Sequence, residues 1–219
     1  MRPSVSLERV QLFVEIEMTL EEYVAQEGWR HARLLRCPLH PVGGCGFSLH
    51  GTYRRKYPIP FPIVRYYCRR GQTTFSLIPE FAASQISGTL EEIERAVSTY
   101  EEEESIYKAA EIVRPPETHD GDPTSLAATS QWLSRRVRWV QATLITVAGL
   151  FPQLFAGLEM TVTAFRSHLQ SEHVLMVLRE LCSEHLAHLP APVGFGPRQG
   201  SGKSAKGEFQ QSMRSDRPP

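Results

Sequence analysis

Residues 30–79 read RHARLLRCPLHPVGGCGFSLHGTYRRKYPIPFPIVRYYCRRGQTTFSLIP. The stretch carries nine Lys/Arg and no Asp or Glu, and it surrounds Cys37, His40, Cys45, His50 and Cys68. Gly43, Gly44, Gly46 and Gly51, followed by Pro58, Pro60 and Pro62, forbid a long helix and permit short strands around turns. Tyr53–Tyr57 and Ile63–Cys68 are rich in aromatic and β-branched residues and are the two predicted strands. Thiols and imidazoles are the ligand types of small metal-stapled modules, which gain from a metal what their size denies them in core.

The spacing suggests how such a site would close. Cys37-x2-His40 brings two ligands together across a tight turn, and Cys68 follows the two predicted strands. A closed structural zinc site needs four ligands, because its stabilisation comes from a complete tetrahedral shell. Cys45 or His50 must supply the fourth. The expected set is Cys37, His40, Cys45 and Cys68 around a structural Zn2+, with His50 as a spare. The competing reading is three buried thiols and two surface histidines.

Outward from this stretch the charge is segregated. The formal net charge of the 219 residues is zero, yet residues 1–29 carry −4, 30–79 carry +9, 80–122 carry −9 and 123–219 carry +4. Such a pattern points to an anionic partner for 30–79. The N-terminus mixes Glu8, Glu15 and Glu17 into its apolar residues, unlike a secretory signal. Clustered Cys and His then favour a metal over a disulfide, and a cytoplasmic chain is the expectation. The most apolar run, Ala142–Pro152, is too short to span a bilayer and reads as a buried helix, so no membrane is expected.

The fold class predicted is α+β: a β-rich zinc-ribbon-like module, then a mainly helical domain, then a disordered C-terminal tail. Residues 1–30 should form a strand over Val10–Glu17 and a short helix opened by the capping box Thr19-x-x-Glu22. Residues 31–80 form the ribbon-like module. Residues 81–189 form the helical domain, a candidate helix-turn-helix. Thr89-x-x-Glu92 caps its first helix, Ile106–Val113 continues the stripe to Pro115-Pro116, and a helix runs through Trp132 and Leu144 to about Leu150. One amphipathic helix is expected over Thr161–Leu189. Residues 190–219, rich in Gly, Pro, Ser and charge, read as disordered.

Four segments resemble the zinc-ribbon front end of insertion-element (transposase-related) proteins: Cys37-Pro-x-His40, His50-Gly-Thr-Tyr-Arg-Arg55, Arg65-Tyr-Tyr-Cys68 and Thr74-Phe-Ser-Leu-Ile-Pro79. Trp132-Leu-Ser-Arg135-Arg136 looks like the helix that follows such ribbons. The likeness spans about residues 33–139, and it implies DNA binding at the ends of a mobile element. This chain departs from the pattern at Gly71, where a Cys is usual. A transposase nuclease needs gathered carboxylates to hold metal ions. The chain has only Asp120, Asp122 and Asp216 as aspartates, all in Pro/Gly-rich or tail segments. The expectation is therefore an accessory or truncated transposase-related protein without an enzymatic site.

Candidate DNA contacts are Arg54, Arg55, Lys56, Arg65, Arg69 and Arg70 in the ribbon and Arg135, Arg136 and Arg138 on the later helix, since phosphate binding needs rows of cations. The alternative function is a protein-interaction module without DNA binding. In it the ribbon and the acidic segment 91–104, which includes Glu101–Glu104, contact a protein partner or a second copy. That acidic run could also mask the ribbon in cis. Two motifs are expected to be inert. Gly200-Ser-Gly-Lys-Ser204 lacks the first glycine and the strand of a phosphate loop, and Cys182-x2-His185-x2-His188 lacks a fourth ligand.

Overall fold

The computed structural model describes residues 8–114 and 125–196, with the side chains of Glu8 and Arg9 left aside. It is an α+β chain: a four-stranded sheet in the first half and a helical layer in the second. The strands are β1 (Glu8–Val14), β2 (Phe47–Arg55), β3 (Phe61–Cys68) and β4 (Thr73–Pro79). Their spatial order is β1-β4-β3-β2, with β1 parallel to β4 and the other pairs antiparallel.

The N-terminal strand thus belongs to the same sheet as β2, β3 and β4, with Val10 opposite Phe75 and Leu12 opposite Leu77. Without β1 the nearly fully buried β4 would be an open edge, a liability that folded sheets cover. The sequence reading did not assign Thr73–Pro79 as a strand. Its run of buried residues lacks the alternation of a half-exposed strand. β2 and β3 begin earlier than the predicted strands, β2 ending at Arg55 and not Tyr57, and they carry a register shift: Leu49 opposes Tyr66, Gly51 opposes Arg65, and His50 is the extra residue. Gly51 has φ +104°, a backbone conformation that other residues adopt only under strain.

The sheet packs with helix α1 (Leu20–Ala25), whose Thr19/Glu22 capping box is formed in both directions. Tyr23 on this helix is fully buried. Its hydroxyl donates to the carbonyl of Pro62 at 3.0 Å, and its ring meets Trp29, Phe61 and Phe81 edge-on. Edge-to-face contacts of this kind add to the area the ring buries.

The helical layer comprises α2 (Leu90–Glu103), α3 (Ile106–Val113), α4 (Leu126–Leu150), α5 (Pro152–Phe155), α6 (Val162–Leu169) and α7 (Val174–Leu181). The expected start at Thr89 holds, with Thr89/Glu92 forming a capping box, and Ser125 caps α4 by accepting from the N–H of Ala128. Leu133, Val137, Val140, Leu144 and Val147 of α4 form one buried stripe that faces α2 and α3, and α6 and α7 join the same core through α2. The apolar run Ala142–Pro152 closes α4. It buries Thr143, Leu144 and Val147 but leaves Ile145 exposed. No helix among the described residues is long and apolar enough to cross a membrane.

Two expectations are corrected here. The single helix over Thr161–Leu189 is two, because Gln170 takes a left-handed conformation (φ 52°) and α7 restarts at Val174. The leucine spacing survives the break because both helices face one core: Phe165 and Leu175 are both fully buried. The tail expected from residue 190 does not begin there. Ala191 and Val193 are buried, and the Arg179 guanidinium donates to the carbonyls of Pro192 at 2.7 Å, Val193 at 3.0 Å and Ala82 at 2.9 Å. Burial, with Arg55 close by, pulls the pKa of Arg179 down to about 9. Residues 190–196 therefore form a strap against the 80–87 connection. Residues 197–219, including the Gly200–Ser204 motif, lie outside the described residues.

Candidate metal centre

The chain between the 3-10 turn Gly28–Arg30 and β2 has no strand or helix of its own, and its backbone bonds are few: His40 N–H to Cys37 at 3.2 Å and Gly43 N–H to His40 at 2.9 Å. The first of these closes the turn that brings Cys37 and His40 together. Cys45 arrives just before β2, and Cys68 ends β3 directly opposite Phe47. A further backbone bond, Arg70 N–H to the carbonyl of Cys45 at 3.0 Å, joins the two loops.

The ligand-type atoms of Cys37, His40, Cys45 and Cys68 all lie within 4.8 Å of one another, a group that could hold a metal ion. His40 Nδ1 is 3.7 Å from Cys37 Sγ and 3.4 Å from Cys68 Sγ. All three thiols are free and buried, with Cys68 fully so, and Phe75, Phe47 and Tyr66 pack beside them. The spare His50 is elsewhere: it is exposed on β2, with its ring 5.5 Å from that of Tyr67.

Gly71 occupies a place where a cysteine would not fit unaltered. A Cβ there would come within 2.8 Å of Leu39 Cδ1 and 3.4 Å of Cys68 Sγ. Its backbone N–H instead donates to Cys68 Sγ at 3.2 Å. Burial pushes the Cys68 thiol up. The Gly71 and Arg70 N–H groups and the hydrogen-bonding thiols of Cys37 and Cys45 outweigh it and hold Cys68 below its usual value. Burial, joined by hydrogen bonds with Cys37 and Cys68, holds Cys45 above its usual value. A second thiolate beside the first is costly without a cation between them, and that is the electrostatic condition a dication relieves.

The cations divide differently from the sequence expectation. Arg54, Lys56, Arg69, Arg70, Arg135 and Arg138 are exposed. Arg65 is half-buried, with its guanidinium 5.2 Å from the Tyr53 ring centre. Arg55 and Arg136 are removed from the candidate contacts. Arg55 is buried and donates to the carbonyls of Ala83 and Ile86. Arg136 stacks 4.2 Å over Trp132 and donates to the Ser87 carbonyl and hydroxyl, both at 3.1 Å; burial lowers its pKa to about 10. Both guanidiniums satisfy carbonyls that no backbone partner reaches, and neither can turn to a phosphate.

The helix-turn-helix expected within residues 81–189 meets, at Arg135 and Arg138, a 25-residue helix with its apolar stripe inside the domain and these two arginines on its outer side. The acidic segment turns inward in part. Glu101 accepts from Val162 N–H at 2.7 Å and Thr163 N–H at 2.9 Å, at the start of α6. Among the described residues no ion pair joins residues 91–104 to the basic stretch.

Cys182 is fully buried among the helices, and His185 faces the Phe151 ring. Burial raises the Cys182 thiol to about 11. A thiol reagent at neutral pH should therefore leave Cys182 unmodified until denaturant is added, with peptide mapping as the readout. Rapid labelling of Cys182 in the native chain would contradict its burial.

Sequence reasoning overlooked the loop side chains Arg33, Leu35, Arg36, Leu39 and Val42, which are all exposed around the cluster. The signal available was their interleaving with Cys37 and His40. Comparisons with protein-family models, with curated proteins and with solved structures find no match to this chain.

Proposed function

We propose that this chain is a DNA-binding protein whose contact surface is stapled by one structural zinc ion held by Cys37, His40, Cys45 and Cys68. The donor set supports zinc: three thiolates and one imidazole are an ordinary closed zinc shell. Zinc bonds of about 2.3 Å to sulfur and 2.0 Å to nitrogen, set tetrahedrally, give a nitrogen–sulfur edge of about 3.5 Å. The two His40 separations of 3.4 and 3.7 Å bracket that value. The ion would neutralise the crowded thiolates and fix the two loops to each other.

The observation that carries the DNA reading is the setting of this cluster. Exposed Arg36, Arg69 and Arg70 flank it within a stretch free of carboxylates from Arg30 to Pro79. Arg54 and Lys56 lie at the far end of the same hairpin, roughly 20 Å away at 3.3 Å per residue. That distance matches about six base pairs of duplex, over which phosphates present a nearly continuous row of charge. The likeness to insertion-element ribbons makes the ends of a mobile element the natural target, with cleavage supplied by another protein.

Binding to a 20-base-pair duplex, followed by fluorescence anisotropy, should weaken steeply with salt. Five or six phosphate contacts give a log–log slope of about −5. Replacing Arg69 and Arg70 by Ala should reduce the slope by about 2 and weaken all sequences alike. Absence of binding at 20–50 mM salt, a range chosen to favour phosphate contacts, would defeat the reading.

A further inference from the structure

We propose that the metal-stapled loop of residues 35–46 is an apolar wedge that enters the duplex at unpaired or kinked base steps, so that the protein prefers distorted over fully paired DNA. This rests on the DNA-binding reading and adds the class of DNA recognised. Leu35 is 89% exposed, Leu39 50% and Val42 101%, and all three belong to the loop that carries Cys37, His40 and Cys45. Isolated apolar residues on a surface are ordinary, but three on one rigid tip mark a contact surface.

The tip is held together. Leu39 abuts Gly71, the Arg69 side chain lies against Gly46, and Arg70 is bonded through its N–H to Cys45. Leu35 and Val42 line an open concavity of about 760 Å³ together with Gly43 and Gly44, which add no side chains. Aliphatic side chains inserted between base steps unstack them, and the concavity leaves room for a displaced base.

Charge selects the occupant. Arg36 adjoins Leu35 in sequence, and Leu39 abuts Gly71, the residue that follows exposed Arg69 and Arg70, so two of the three apolar side chains have arginines close by. DNA satisfies both at once, because each base step has its own phosphates. Sinking the same tip into a bilayer would draw Arg36 towards hydrocarbon together with Leu35, which costs heavily. A protein partner would have to bring carboxylates to the same spot.

The test uses the full zinc-loaded chain and two probes of equal length at one salt concentration: a paired 20-mer and the same 20-mer with a central three-base mismatch. The mismatched probe should bind about tenfold more tightly, as expected from partial burial of two aliphatic side chains at a step already unstacked. The double variant Leu35→Ser/Val42→Ser should lose that preference and keep its affinity and salt slope on the paired probe. Both side chains are solvent-exposed, so far-UV dichroism and metal content should stay at wild-type values. Equal affinity for the two probes in the wild-type chain overturns the wedge while leaving DNA binding intact. Preference retained in the double variant also overturns it. If the same variant instead abolishes a concentration-dependent dimer seen by sedimentation, with no change in DNA preference, the patch is a protein interface and the wedge is overturned. Failure of both probes to bind removes the DNA reading and the wedge together.

Discussion

Stripping the proposed zinc ion with a chelator, or replacing Cys68 by Ser, should cost the chain most of the order in residues 33–46 and lower its melting temperature by at least about 10 °C. The size follows from what holds this segment. It has no helix or strand, few backbone bonds, and beside it a small cluster of Phe75, Phe47 and Tyr66. Structural zinc contributes on the order of 10 kcal/mol of binding free energy to small modules. Whole domains are stable by only about 5–15 kcal/mol. Even half of the zinc term, at about 2–4 °C per kcal/mol for a chain of this size, gives the shift stated. Cys68 is the sharpest site to change because it is fully buried, close to His40 and the acceptor of the Gly71 N–H. His50→Ala is the control, since its ring lies by Tyr67 and outside the cluster. Trypsin should report the same change: Arg33 and Arg36 become cleaved first when the metal leaves. About one zinc per purified chain, lost in Cys68→Ser and kept in His50→Ala, is the expected metal content. A melting curve and digestion pattern indifferent to chelator would sink the zinc proposal.

The candidate centre was legible because a metal site is written in residue types. Cys and His are few, and their ligand atoms had to meet somewhere for the spacing to make sense. The choice between Cys45 and His50 was less legible. It depends on the extra residue at His50, which decides the face on which that imidazole emerges. Helix starts were equally readable, since Thr19/Glu22 and Thr89/Glu92 satisfy their own N–H groups locally. What the sequence could not disclose was set by distant contacts. β1 joins β4 across more than fifty residues, and nothing local announces that pairing. The roles of Arg55, Arg136 and Arg179 were hidden for the same reason. An arginine buried to satisfy the carbonyls of a connecting segment is written like one that waits for a phosphate.

Glu94→Ala should be the most damaging single change in the helical half, destabilising the chain by about 3–5 kcal/mol, the usual result of removing one partner from a buried ion pair. Glu94 lies within the acidic segment yet is only 3% exposed. Its carboxylate accepts from the N–H groups of Val174 at 3.1 Å and Leu175 at 3.0 Å, and it pairs with Arg166 at 3.2 Å. The residue preceding α7, His173, makes no side-chain cap, so Glu94 of α2 does the capping from across the core. A carboxylate at a helix N-terminus is also favoured by the helix dipole. Truncation strands two buried N–H groups and takes from Arg166 the buried one of its two carboxylate partners, leaving it Glu172 at 3.5 Å and the Ser98 hydroxyl. Glu94→Gln keeps an acceptor but not the charge and should cost about half as much. Glu101→Ala should cost only about 1 kcal/mol. The N-terminus of α6, which Glu101 serves, has its own cap in the Thr161 side chain, and Glu101 is more exposed than Glu94. Urea unfolding of the three variants should therefore rank Glu94→Ala, Glu94→Gln, Glu101→Ala. Equal effects would mean that burial of the carboxylate is immaterial. The same geometry bears on masking of the basic stretch by the acidic one. Glu94 and Glu101 spend their charge on the starts of α7 and α6, so Glu101→Gln should leave duplex affinity unchanged, whereas a several-fold rise would mean that this carboxylate reaches the basic surface after all.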